Sequence, residues 1–257
     1  MSSTGGSFGY GYDVEREVPA NIAHVMPSFA ERAKKKPRGK IATWIIFSLA
    51  FIGLAITATL LFYFVILPQG IGTSLVSLTA ALVPFGIVLF AVWWLDRNTP
   101  QPRFTMAYAF LWGAIGSIAM TFIFGFAVEL MIALQAKDAT AQQFLSVALQ
   151  APVVEETTKA FGLVLLLLFG RRYIAGTIDG VIYAMLIAAG FAFTENITYF
   201  ARSFAEAQVV GNSTVFWQTF FMRGLLSPFA HASFTSLVGF GIGIAAERRS
   251  LPLYFFL

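Results

Sequence analysis

Residues 152–169 read PVVEETTKAFGLVLLLLF. The stretch has the length of a bilayer-crossing helix, which takes about 20 mostly apolar residues. Yet its first half holds Glu155, Glu156 and Lys159. A charge at mid-bilayer costs about 2.5–3.5 kcal/mol on insertion scales, so such groups persist where they are paired or at work. Two more apolar stretches break the same rule: GFAFTENITYF (190–200) with Glu195 and Asn196, and LLSPFAHASFTSLVGF (225–240) with His231. We read the three as contributors to one buried polar site.

The rest of the chain agrees with a membrane setting. It is 58% hydrophobic and 12% charged, against about 25% charged residues in ordinary globular domains. Spans are expected at Ile41–Leu67, Ile71–Leu95, Phe104–Leu134, Pro152–Phe169, Thr177–Phe200 and Ser227–Ala246. The fold class is therefore all-α, a polytopic transmembrane bundle of about six spans. Residues 251–257 start another apolar run and read as the stub of a further helix, cut short. The chain divides into a basic, disordered tail (1–40), N-terminal membrane helices (41–134) and a core (150–246) that holds the unusual charges. Residues 1–32 lack the basic start and short apolar run of a signal peptide and read as an unprocessed tail. No cysteine is present, which removes structural disulfides, thiolate-held zinc and a cysteine nucleophile.

The cluster AKKKPRGK (33–40) abuts the first apolar run. Cytoplasmic topology and anionic lipid at 32–40 account for it better than a nucleic-acid partner. Lys/Arg bias then places the N-terminus inside, with Arg97, Arg103, Arg171, Arg172, Arg248 and Arg249 on the same side. At 1.5 Å per residue, Glu155, Glu195 and His231 fall about 5, 8 and 6 Å from the outer ends of their spans. Glu129 reaches the same layer.

Glu155 and Lys159 are four apart and share a helix face, with Glu156 about 100° round. Two close carboxylates in low dielectric resist joint ionisation, which suits one of them to general-base work. The alternative is a buried ion pair that only fixes packing. Glu195 can serve as a second acid/base or a metal ligand, and Asn196 as an amide donor, or both can be interhelical hydrogen-bonding groups. Arg223, Ser227, His231 and Thr235 fall at four-residue steps and form a stripe if Pro228 does not break the helix. Asp179 reads as a helix start. Gly239, Gly241 and Gly243, read at two-residue steps, signal little beyond close approach. No HExxH, Walker-type or GxSxG pattern occurs.

Three ordered blocks, APVVEETTKAFGL (151–163), DGVIYAMLIAAGFAFTENITYF (179–200) and RGLLSPFAHASFTSLVGFGIG (223–243), resemble the PrsW family of bacterial intramembrane proteases. The wider group includes the CAAX prenyl endopeptidases. One departure is Ala184 after Tyr183, where the family pattern leads us to expect glycine. The resemblance implies a helical endopeptidase of the bacterial cytoplasmic membrane whose site is built from Glu155, Glu156, Glu195 and His231. It also implies a membrane-anchored protein substrate, of anti-sigma-factor type, cut on the extracytoplasmic side. By analogy, Glu155 or Glu156 activates water, His231 orients it or shuttles protons, and Asn196 or Arg223 stabilises the oxyanion, with Lys159 in support. Zinc is possible but not certain as a cofactor; Glu155, Glu195 and His231 are its candidate ligands, and a metal-free glutamate mechanism is equally open. The competing reading is a proton- or ion-coupled transporter, since buried Glu, Lys and His also mark ion pathways.

Overall fold

The computed structural model describes residues 40–135, 138–146 and 151–248. It divides into two units, Met1–Ala42 and Thr43–Leu257, of which the first lies almost wholly outside the described residues. The tail of 1–40 (of which only Lys40 is described), its lipid-binding segment and the helix stub at 251–257 are expectations that lie outside as well.

The described residues are helical and include no strand. A membrane leaves a lone segment few alternatives, because a helix satisfies its own backbone groups where water is absent. Helix α1 (Lys40–Leu61) continues through a π-helical turn at Phe62–Ile66 and a 3-10 turn at Leu67–Gln69. Gly70, at φ 84°, makes the turn into α2 (Ile71–Asp96). Helix α3 (Arg103–Gln135) carries a π-helical segment at Trp112–Ser117. A short α4 (Ala139–Phe144) precedes α5 (Ala151–Gly170), α6 (Thr177–Val210) and α7 (Thr214–Glu247). Five of these, α1, α2, α3, α6 and α7, are long and apolar enough to cross a membrane. Helix α5 is the sixth expected span, distinguished by its three charges.

Helix α6 is the centre of the bundle. Ile182, Tyr183, Ile187, Phe191 and Phe200 on it are all essentially inaccessible. Two glycine contacts bring its neighbours close. A side chain on Gly113 would strike the Ile187 carbonyl, and one on Gly190 the Phe110 carbonyl, so α3 and α6 touch backbone to backbone. On α7, Gly239 and Gly243 meet Gly180 and Thr177 in the same way. This corrects the two-residue reading of those glycines: the pair that matters, Gly239 and Gly243, is four apart and lies on one face.

The ends of α6 and α7 differ from expectation. Helix α6 continues ten residues past Phe200, to a cap at Gly211 with φ 69°, and α7 starts at Thr214 rather than Ser227. Arg202 and Glu206 are therefore helical rather than in a loop. Glu195 and His231 lie about 22 and 26 Å from the ends of their helices at 1.5 Å per residue, not 8 and 6 Å. The distances counted from the expected span ends therefore do not hold for Glu195 and His231. The helices still converge because α6 and α7 run past the start of α5 as a hairpin.

The opposite end of α6 is closed by a second polar group. Asp179 accepts hydrogen bonds from the Ala175 and Gly176 amides at 2.8 and 3.3 Å and from Gln101 Nε2 at 2.6 Å. This is the helix-start role read from sequence.

Candidate active site

Lys159 is fully buried in the third turn of α5. Its Nζ lies 2.7 Å from Glu156 Oε1, 3.6 Å from Glu155 Oε2 and 2.9 Å from His231 Nδ1. The Phe191 ring lies 4.0 Å from the same ammonium. The three-residue and four-residue spacings put both carboxylates within reach of one cation, which offsets the cost of burying it. The other Glu156 oxygen accepts from Thr235 Oγ1 at 2.9 Å. Glu156 is thus held from two helices, whereas Glu155 lines a cavity.

Glu195 Oε1 pairs with Arg223 Nη2 at 2.9 Å, and the guanidinium stacks 3.5 Å over Tyr199. Arg223 also reaches Ser227 Oγ at 3.4 Å. Arg223 belongs to a π-helical segment, Phe220–Leu226, just before Pro228. Proline has no N–H and its ring clashes with the carbonyl four residues back in a regular helix. The wider π turn accommodates it, and the stripe Arg223–Ser227–His231–Thr235 survives.

His231 joins the two halves. Its Nε2 lies 3.3 Å from Glu195 Oε2, an ion-pair distance without hydrogen-bond alignment, so that buried oxygen has no hydrogen-bond partner. An ammonium can only donate, so Nδ1 beside Lys159 must accept, and the ring proton is placed on Nε2, facing Glu195.

Glu155, Glu156, Lys159, Glu195, Arg223 and His231 therefore form one cluster. Asn196 is buried, but it lies about 100° round α6 from Glu195, and no hydrogen bond joins it to the group among the described residues. Glu129 accepts from Ser146 Oγ at 2.7 Å instead. Sequence reasoning missed Phe191 and Tyr199, the aromatic faces on the two cations. Their signal is their spacing, four residues either side of Glu195. It also missed the support behind α5: Ser117 and Thr121 of α3 lie 2.8 and 3.0 Å from Thr158 Oγ1, and Trp112 donates to the Thr158 carbonyl at 3.1 Å.

The donor set fits a divalent metal in number and proximity. One atom each of Glu155, Glu195 and His231 lie within 4.8 Å of one another, and Glu195 Oε2 is already unpartnered. Imidazole ligation through Nε2 carries one condition: Lys159 must leave Nδ1 for Glu156, to which it already makes its shorter bond. A cavity of about 170 Å³ opens beside these groups, bounded by Leu61, Val65, Ile66 and Phe122 on one side and by Glu155 and Glu195 on the other. It has room for several waters at about 30 Å³ each.

Residues 101–256 match the family described as PrsW family intramembrane metalloprotease. The chain is 29% identical over 183 residues to Protease PrsW of Geobacillus kaustophilus (strain HTA426), an alignment that covers 69% of this chain and 72% of that protein. No solved structure matches. The matched region contains every residue of the buried cluster, so a peptidase accounts for the charges where an ion-coupled transporter does not. The chain belongs to the PrsW family, as a multi-pass membrane protease.

Proposed function

We propose that the protein cleaves membrane-anchored regulatory proteins of anti-sigma-factor type, at a site near the outer face of the bacterial cytoplasmic membrane. The observation that carries this is the convergence of Glu155, Glu195 and His231 from three helices to within 4.8 Å of one another, with Glu155 and Glu195 lining one cavity. Glu155 lies sixteen residues, about 24 Å, from Arg171 just past the end of α5, in a hydrocarbon layer about 30 Å thick. With the Arg171–Arg172 end inside, as Lys/Arg bias dictates, the cluster faces outward.

Glu155 is the general base, because Glu156 is tied to Lys159 and Thr235. It takes a proton from water as the oxygen adds to the peptide carbonyl carbon. The oxyanion is met by the Nε2–H of His231 and the guanidinium of Arg223. Glu155 then returns the proton to the nitrogen as the C–N bond breaks, leaving a carboxylic acid and an amine. A zinc ion held by Glu155, Glu195 and His231 would take the place of that base and that Nε2–H, and would supply polarisation of the water.

The test compares new N-termini of membrane proteins in cells that produce wild type or Glu155→Gln. Termini specific to wild type and just outside the bilayer are expected. Identical sets, with both proteins stably inserted, would overturn the reading.

A further inference from the structure

Helix α6 presents a stripe to the catalytic cavity: Glu195, Thr198, Tyr199 and Arg202 all line it, at the three- and four-residue steps of one helix face. Three cations stand near the carboxylates, and two are neutralised within the protein, Lys159 by Glu156 and Arg223 by Glu195. Arg202 is exposed and forms no ion pair among the described residues, although Glu206 is one turn away. The wall across the cavity is Leu61, Val65, Ile66 and Phe122, which offers no carboxylate. A guanidinium at the rim of a site that must receive a polypeptide is thus left for the polypeptide itself.

Resting on the protease reading, we propose that Arg202 is a specificity-determining residue that receives an acidic side chain of the substrate. Arg202 follows Glu195 by seven residues, about 10 Å along the helix. An extended chain covers that distance in about three residues at 3.3 Å each. The substrate class is therefore a polypeptide with Asp or Glu about three residues to one side of the bond cut, flanked by apolar side chains against the α1 wall. Charge complementarity at a rim acts mainly on partner choice, and the planar fork of arginine suits a carboxylate.

The test profiles cleavage sites by terminal peptide sequencing in cells that produce the full chain as wild type, Arg202→Lys, Arg202→Ala or Arg202→Glu. Acidic residues should be enriched about two to four positions from wild-type cuts. Arg202→Lys should keep that enrichment, Arg202→Ala flatten it, and Arg202→Glu replace it with Lys or Arg by on the order of tenfold. A matched pair of one cleaved substrate, Asp or Lys at that position, should reverse in preference between wild type and Arg202→Glu. Unchanged profiles overturn the assignment. So does a uniform slowing at every site, the pattern of an arginine that anchors a lipid phosphate. Absence of any wild-type-specific cut would remove the protease reading and this inference together; cuts with an unaltered profile remove this inference alone.

Discussion

Lys159 of α5 and His231 of α7 meet with Nζ 2.9 Å from Nδ1. The contact makes the lysine a positioning residue, since it dictates which imidazole nitrogen carries the proton. Lys159→Met should release that constraint and lower cleavage by about 100-fold or more, the usual scale of a misplaced proton donor. The chain has only two histidines, His24 and His231. Nitrogen-15 spectra of metal-stripped protein in a His24→Gln background should therefore show His231 alone, protonated on Nε2 in the parent and shifted toward Nδ1–H in Lys159→Met. Identical ring-nitrogen shifts would take Lys159 out of this role.

Three of the glutamates and His231 should separate by function. Glu155→Gln and His231→Ala are expected to reduce cleavage by about 100- to 10,000-fold with insertion intact. Glu156→Gln keeps the shape of a residue that steadies Lys159 and should fall between these and wild type. Glu129→Gln, with only Ser146 as its polar contact among the described residues, should cut normally. Initial rates on one membrane-anchored substrate, normalised to inserted protein, give the ranking. Full activity in Glu155→Gln would reassign the base.

Metal content is the second axis. Purified wild type should hold about one zinc per chain, and Glu195→Gln should lose it, since Glu195 Oε2 is buried with no hydrogen-bond partner among the described residues. Elemental analysis reads this without reference to turnover. Stripping the metal should stop cleavage and one equivalent of zinc should restore it. A stripped protein that cuts at the original rate would assign the chemistry to Glu155 alone.

Glycine substitutions should report the α6–α7 contact. A Cβ on Gly239 would meet the Gly180 carbonyl and the Ala184 side chain, whereas one on Gly53 has nothing within 4 Å. Gly239→Ala should destabilise the bundle by about 1–3 kcal/mol, the range for overpacking, and Gly53→Ala should be silent. Thermal unfolding in detergent separates them; equal midpoints would mean that the helices can part without penalty.

The clustering of Glu155, Glu156, Lys159, Glu195, Arg223 and His231 was legible from sequence because charge within an apolar run has so few stable fates. The helix ends were not. Arg202, Glu206 and the polar run after Val210 resemble a loop by composition, yet helix persists to Gly211, whose left-handed conformation ends it. The π turns at Trp112–Ser117 and Phe220–Leu226 have no hydropathy signal. Pro228 hinted at the second, but as a break rather than as a widened turn. The role of Asn196 was inferred from its neighbour, and one residue along a helix is a different face.

His231 resides on α7, the last of the described helices, while Glu155 and Glu195 precede it on α5 and α6. A ribosome therefore delivers the acidic half of the machinery first and the imidazole at the end. Under the roles proposed for Glu155, Glu195 and His231, the nascent polypeptide carries no complete hydrolytic apparatus until α7 has closed against α6. On that reading, chain order itself delays competence to the last stage of assembly.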